Sequence, residues 1–135
     1  VIRIPNYNTS TPFAEFAEEM PYIHMEGQQT FKFAVNRIVE DIRIAAEKAN
    51  IAVEDIDFIV PHQANIRIIE FAAKRLKVPI DKFYINIEKY GNTSSASVPI
   101  ALAELNESGR LKEGSIVALT AFGGGLSSAA CIIKW

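Results

Sequence analysis

The chain has 135 residues, enough for one domain with its own core. Close to half are apolar (49%), 22% are charged and the formal net charge is −2, so whole-chain charge points to neither nucleic acid nor a membrane surface. A single cysteine excludes an internal disulfide and fits a reducing, cytoplasmic setting, and no apolar stretch approaches the ~20 residues of a membrane helix.

Residues 1 to 20 read as an irregular linker arriving from something upstream, because Asn6, Asn8, Thr9, Ser10, Thr11 and Pro12 are turn formers. The polar start, broken by Pro5 and Pro12, is no signal peptide, and Val1 in place of Met fits a fragment or a processed product. A domain over residues 21–135 follows. Tyr22 to Glu26 is a short strand stopped by Gly27. The spacing of Phe31, Ala34, Val35, Ile38, Val39, Ile42, Ala45, Ala46 and Ala49 predicts a helix from Gln29 to Ala49, with Asn50 as its stop.

Ile56 to Val60 is a buried strand by its β-branched and aromatic content. Asn65 to Lys77 is a second helix, ended before Pro79, and Phe83 to Ile87 is a third strand. A helix from about Ser95 to Ser108 comes next, stopped by Gly109. Pro99 lacks an N–H and is comfortable only near a first turn, which holds that helix start close to Asn92. Ser115 to Phe122 and Leu126 to Lys134 are strands joined by Gly123, Gly124 and Gly125; their apolar faces imply a doubly covered sheet. The order predicts an α/β layered domain with a mostly parallel sheet and an antiparallel terminal pair.

His62 ends one apolar run, and Asn92 follows another in Tyr90-Gly91-Asn92-Thr93-Ser94. Ligands in open α/β sheets collect beyond the carboxyl ends of strands, where a His and an Asn can aim two donors at one carbonyl oxygen. The plainer readings are a core histidine held by a carbonyl and an asparagine that caps a helix. Gly123, Gly124 and Gly125 form either a tight turn or an exposed backbone N–H for an oxyanion; no phosphate-loop Gly-Lys-Ser/Thr follows. Cys131, in an apolar terminal strand, reads as a small core residue, and His24 as structural. No His/Cys/Asp/Glu cluster has metal-ligand spacing, so no metal is expected. Arg67, Lys74 and Arg75 fall broadly on one helix face, either solvated or facing an acidic partner.

Three strings stand in order: Pro61-His62-Gln63-Ala64-Asn65-Ile66-Arg67, then Tyr90-Gly91-Asn92-Thr93-Ser94-Ser95-Ala96-Ser97-Val98-Pro99, then Phe122-Gly123-Gly124-Gly125. Together they closely resemble the C-terminal half of β-ketoacyl-acyl carrier protein synthase III, a thiolase-fold condensing enzyme of fatty acid biosynthesis. Met25 to Val35 is similar to the family's pattern too. The resemblance implies an acyltransferase that condenses an acyl-CoA primer with malonyl-acyl carrier protein. His62 and Asn92 match the second and third members of a Cys-His-Asn triad, and Gly124 matches an oxyanion-hole N–H. Gly27, Ala64, Asn65 and Phe122 match the substrate tunnel and condensation site, and Lys32, Arg67, Lys74 and Arg75 match the surface presented to the acidic carrier protein.

The triad cysteine belongs to the family's N-terminal half, and Cys131 does not match it. The resemblance therefore implies a chain inactive in condensation by itself, completed by an N-terminal half and dimeric at full length. It implies no cofactor beyond the coenzyme A and phosphopantetheine thioester substrates, no nucleic acid and no membrane. Leu126-Ser127-Ser128 departs from the Thr-Trp that the family often carries after the glycines. Two other readings are a non-catalytic module that binds the carrier protein and a related enzyme acting on coenzyme A thioesters, of polyketide or ketone-body type.

Overall fold

The computed structural model describes residues 2–3 and 24–135. In chain order the elements are β1 (Ile2–Arg3), β2 (His24–Met25), α1 (Gly27–Lys48), β3 (Phe58–Pro61), α2 (Ile66–Leu76), α3 (Ile87–Tyr90), α4 (Ser97–Glu107), β4 (Ile116–Gly123) and β5 (Ser127–Lys134). β1 pairs antiparallel with β2, so Ile2 and Arg3 are strand residues, not part of an irregular stretch. The rest of the expected linker, with Tyr22 and Ile23, lies outside the described residues.

The principal sheet runs β3-β4-β5, with β3 parallel and β5 antiparallel to β4. Successive strand residues point to opposite faces, so the sheet feeds two cores. Ile59 and Ala118 join the core under α1 and α2; Val60 and Val117 join the core under α4. α1 buries its predicted stripe of Ala34, Val35, Ile38, Val39, Ile42 and Ala46. It ends in a Schellman turn: Asn50 takes left-handed backbone (φ 55°), its N–H donates to the Glu47 carbonyl, and that of Ile51 donates to Ala46. Arg37 ties α1 to β5, donating to Ser128 Oγ at 2.8 Å and pairing with Asp41.

Two expectations are corrected. Phe83 to Ile87 is not a strand; it contributes a single parallel bridge, Ile59 to Phe83. The reason is chemical. Tyr84 N–H donates to the Ile59 carbonyl, and the next rung would need an N–H from Pro61, which has none. The Gln63 side chain supplies that bond instead, donating from Nε2 to the Tyr84 carbonyl at 3.0 Å, and the chain then turns into α3. Cys131 is exposed, not core. It sits opposite Leu119 on the sheet face that carries α4, but α4 lies over β3 and β4 and leaves Ala121, Ala129 and Cys131 open.

Candidate active site

The His62 peptide N–H donates to the Thr120 carbonyl at 2.8 Å, which carries the β3–β4 ladder one residue past the strand. The half-buried ring leans edge-on against Phe122, with centroids 5.2 Å apart and an interplanar angle of 70°. On its other side Nδ1 lies 2.5 Å from the buried Ser97 Oγ. Ser97 Oγ accepts the Gln63 N–H at 3.3 Å, and among the described residues Nδ1 is the one acceptor recorded within reach of its own proton, which on Nδ1 leaves the ring proton to Nε2. Burial pushes the His62 pKa below the ordinary 6.5, which keeps the ring neutral at pH 7. The result is a fixed neutral N–H donor.

Asn92 closes the turn ahead of α4. Its Oδ1 accepts the Ser94 N–H at 3.0 Å, an Asx turn that opens the 3-10 turn Ser94–Ala96 and then α4. With the oxygen engaged there, the Nδ2 hydrogens have no partner recorded among the described residues. Pro99 falls in the first turn of α4, as its missing N–H requires. Asn65 repeats the device: its Oδ1 caps α2 by accepting the Arg67 N–H at 2.9 Å.

His62 and Asn92 share a cavity of about 180 Å³ whose wall also includes Gly27, Thr30, Phe31, Ala64, Asn65, Phe122 and Gly123. Gly124 lines an adjoining cavity of about 610 Å³, again with His62 and Asn92. In the turn after β4, Gly125 carries the positive φ (141°), and a Cβ there would lie 2.4 Å from Ser127 Oγ; Gly124 is open and exposed. Gly124 is therefore free to present backbone, while Gly125 makes the turn.

The basic side chains are exposed on α1 (Lys32) and α2 (Arg67, Lys74 and Arg75). Phe71, 51% exposed, lies between them in sequence and packs edge-on against Phe31 at 5.6 Å. Arg75 donates to Asn36 Oδ1, while none of the ion pairs among the described residues engages Lys32, Arg67 or Lys74. An apolar ring beside unpaired cations suits an acidic, partly apolar partner.

A profile described as 3-oxoacyl-[acyl-carrier-protein (ACP)] synthase III C terminal matches residues 46–135. The chain belongs to this synthase III family. Beta-ketoacyl-[acyl-carrier-protein] synthase III of Clostridium novyi (strain NT) is 54% identical over 122 residues, which is 90% of this chain and 38% of that protein. The crystal structure of the Thermus thermophilus synthase III matches with a TM-score of 0.87 and 40% identity, covering 99% of this chain and 41% of that one. The Aquifex aeolicus VF5 synthase III gives 0.84 and 44%, covering 88% and 39%. The synthase III chain thus has the thiolase-like α/β architecture of these relatives and spans about two-fifths of their length.

Three structural contributors escaped the sequence reading. Ser97, five residues after Asn92, hydrogen-bonds His62 Nδ1. Gln63, 1% exposed, spends its side chain on the Pro61 and Tyr84 carbonyls and the Asn86 N–H, locking the His62 turn to the segment leading to Asn92. Glu104 on α4 accepts from Asn86 Nδ2 (2.8 Å), Lys89 and Tyr90, which pins α3 just before Asn92. A glutamine directly after a strand-end histidine was the available signal for Gln63. The partners of Glu104 are 14 to 18 residues away and leave no local pattern.

Proposed function

We propose that this chain supplies the His–Asn half of a decarboxylative condensation site acting on a malonyl thioester of acyl carrier protein in fatty acid biosynthesis. The thioester carbonyl sits between His62 Nε2–H and Asn92 Nδ2–H. The carboxylate leaves as carbon dioxide, its electron pair forms the C2=C1 bond, and the carbonyl oxygen becomes an enolate held by both donors. C2 then attacks an acyl thioester on a cysteine outside these 135 residues, and the cysteine leaves as thiolate. The Gly124 N–H faces the second oxyanion.

The observation that carries this reading is the Ser97–His62 contact, which leaves a neutral Nε2–H donor in the cavity that Asn92 also lines. A neutral donor stabilises an enolate without first giving up its proton, and removing one such donor typically costs about 10²–10³ in rate. Lys32, Arg67, Lys74 and Arg75 support carrier-protein docking, and Gly27, Ala64, Asn65 and Phe122 line the path for its phosphopantetheine arm. The working assembly on this reading is a cytoplasmic homodimer that takes an acyl-CoA primer.

The test mixes the chain with a separately produced N-terminal part of a synthase III relative and follows malonyl-acyl carrier protein and acyl-CoA. Condensation is expected only in the mixture and is lost with His62→Ala or Asn92→Ala. Condensation by the chain alone would place a nucleophile within it and overturn the proposal.

A further inference from the structure

The cavity beside His62 holds one polar side chain with no assigned partner. Thr30, on the first turns of α1, is 5% exposed, and its Oγ1 makes no hydrogen bond among the described residues. Its backbone N–H is already committed to the Glu26 carbonyl at 2.9 Å, so the helix does not use the hydroxyl. Such a group is costly to leave unmade, and Thr30 lines the cavity with its Oγ1 turned away from solvent.

The polar character of that wall is lopsided. Asn65 and Asn92, both on the cavity wall, each accept a backbone N–H at Oδ1, and no partner is recorded for their Nδ2 hydrogens. His62 has Nδ1 on Ser97 and presents Nε2–H. These three side chains offer donors, whereas a ligand arm built of secondary amides carries N–H groups as well as carbonyls. Among the hydrogen-bonding side chains of the wall, the Thr30 hydroxyl is the one with no recorded partner. Threonine on a helix populates two χ1 rotamers, so a side-chain rotation without backbone change can re-aim Oγ1.

We propose that the Thr30 hydroxyl accepts a hydrogen bond from an amide N–H of the ligand's pantetheine-type arm, making Thr30 a specificity residue for amide-bearing thiols and thioesters. This rests on the thioester reading of the cavity given above. It predicts opposite signs for free and bound protein. Thr30→Val keeps the β-branched shape and removes an unsatisfied hydroxyl, so it raises the melting temperature of the free chain.

The same substitution weakens binding of coenzyme A and of pantetheine by about fivefold to tenfold, the size of one hydrogen bond. Thr30→Ser retains affinity within about twofold. Calorimetric titration of the full chain with coenzyme A, pantetheine and adenosine 3′,5′-bisphosphate reads this directly, with Ala64→Trp as a cavity-blocking control. The nucleotide alone should not distinguish Thr30→Val from the parent. Coenzyme A binding that Ala64→Trp abolishes and Thr30→Val leaves unchanged overturns the role of Thr30 while leaving the thioester cavity intact. Absence of coenzyme A binding, or binding indifferent to Ala64→Trp, overturns both.

Discussion

Ser97→Ala is the sharpest perturbation of the site, because it changes a tautomer without touching any group that meets substrate. The hydroxyl holds two hydrogen bonds, one to His62 Nδ1 at 2.5 Å and one from Gln63 N–H at 3.3 Å. Gln63 is 1% exposed, so its N–H gains no water in exchange. An unmet buried group costs about 1–3 kcal/mol; the second contact is long and the ring is only half-buried, which sets the expected loss of stability near 2 kcal/mol. For the ring, losing one donor removes about 1 kcal/mol of preference for Nε2–H, or about fivefold in the tautomer ratio.

Nitrogen-15 NMR of the imidazoles reads that ratio directly. The chain has two histidines, and His24→Asn assigns the remaining signal. The expected parent spectrum shows protonated Nε2 and bare Nδ1 at pH 7, with a mixture in Ser97→Ala. Ser97→Thr keeps the hydroxyl and the parent tautomer. In the complemented enzyme, decarboxylation falls by up to about fivefold in Ser97→Ala as part of the ring population presents the wrong nitrogen. A parent ring protonated at Nδ1 would refute the chain of reasoning from Ser97 to the enolate.

Asn92→Asp retains the Oδ1 that closes the Asx turn and replaces the Nδ2 donor with an oxygen; decarboxylation should fall about 10²–10³ with the melting temperature nearly unchanged, whereas a matching loss of fold would make Asn92 purely structural. The depressed His62 pKa means the unfolded chain takes up a proton near pH 6.5 before the folded chain does. Stability therefore falls with pH below about 6.5, and His62→Gln should flatten that limb in a urea titration. Glu104 is held down to about 2, first by the Lys89 ammonium and then by the Asn86 amide, so its contribution is present above its ordinary 4.5 and lost as pH drops toward 2; Glu104→Gln should remove that acid limb. Charge reversal at Arg67 and Lys74 should weaken carrier-protein binding more than tenfold at low salt and less at high salt, measured by titration; salt-independent binding would mark the patch as a solvated face.

The layered fold was legible because its signals are local. The apolar stripe of α1, the Asn50 stop and the position of Pro99 each act within one or two turns. The failed elements depend on distant partners. Nothing within Phe83 to Ile87 reveals that the neighbouring strand lacks an N–H at Pro61, which limits this segment to one bridge. Cys131 sits among apolar neighbours in sequence, yet its exposure depends on how far α4 reaches across the sheet. The same division runs through the site. His62 and Asn92 announce themselves at element ends, while Ser97, Gln63 and Glu104 matter through contacts that only the folded chain makes.

The two asparagines follow from one physical requirement. A turn that opens a helix needs an acceptor for an orphan N–H, which Asp, Ser or Asn can provide. Only Asn then has amide hydrogens left over, because its oxygen does the capping and its nitrogen does not. At Asn65 and Asn92 the fold engages the oxygen of a cavity-lining side chain and leaves its amide hydrogens without a recorded partner. Ser97 does the same to His62 by occupying Nδ1. The donor-rich character suited to an enolate is thus a by-product of closing the backbone's own hydrogen bonds. Against that wall the Thr30 hydroxyl stands out as the polar side-chain group with no recorded partner.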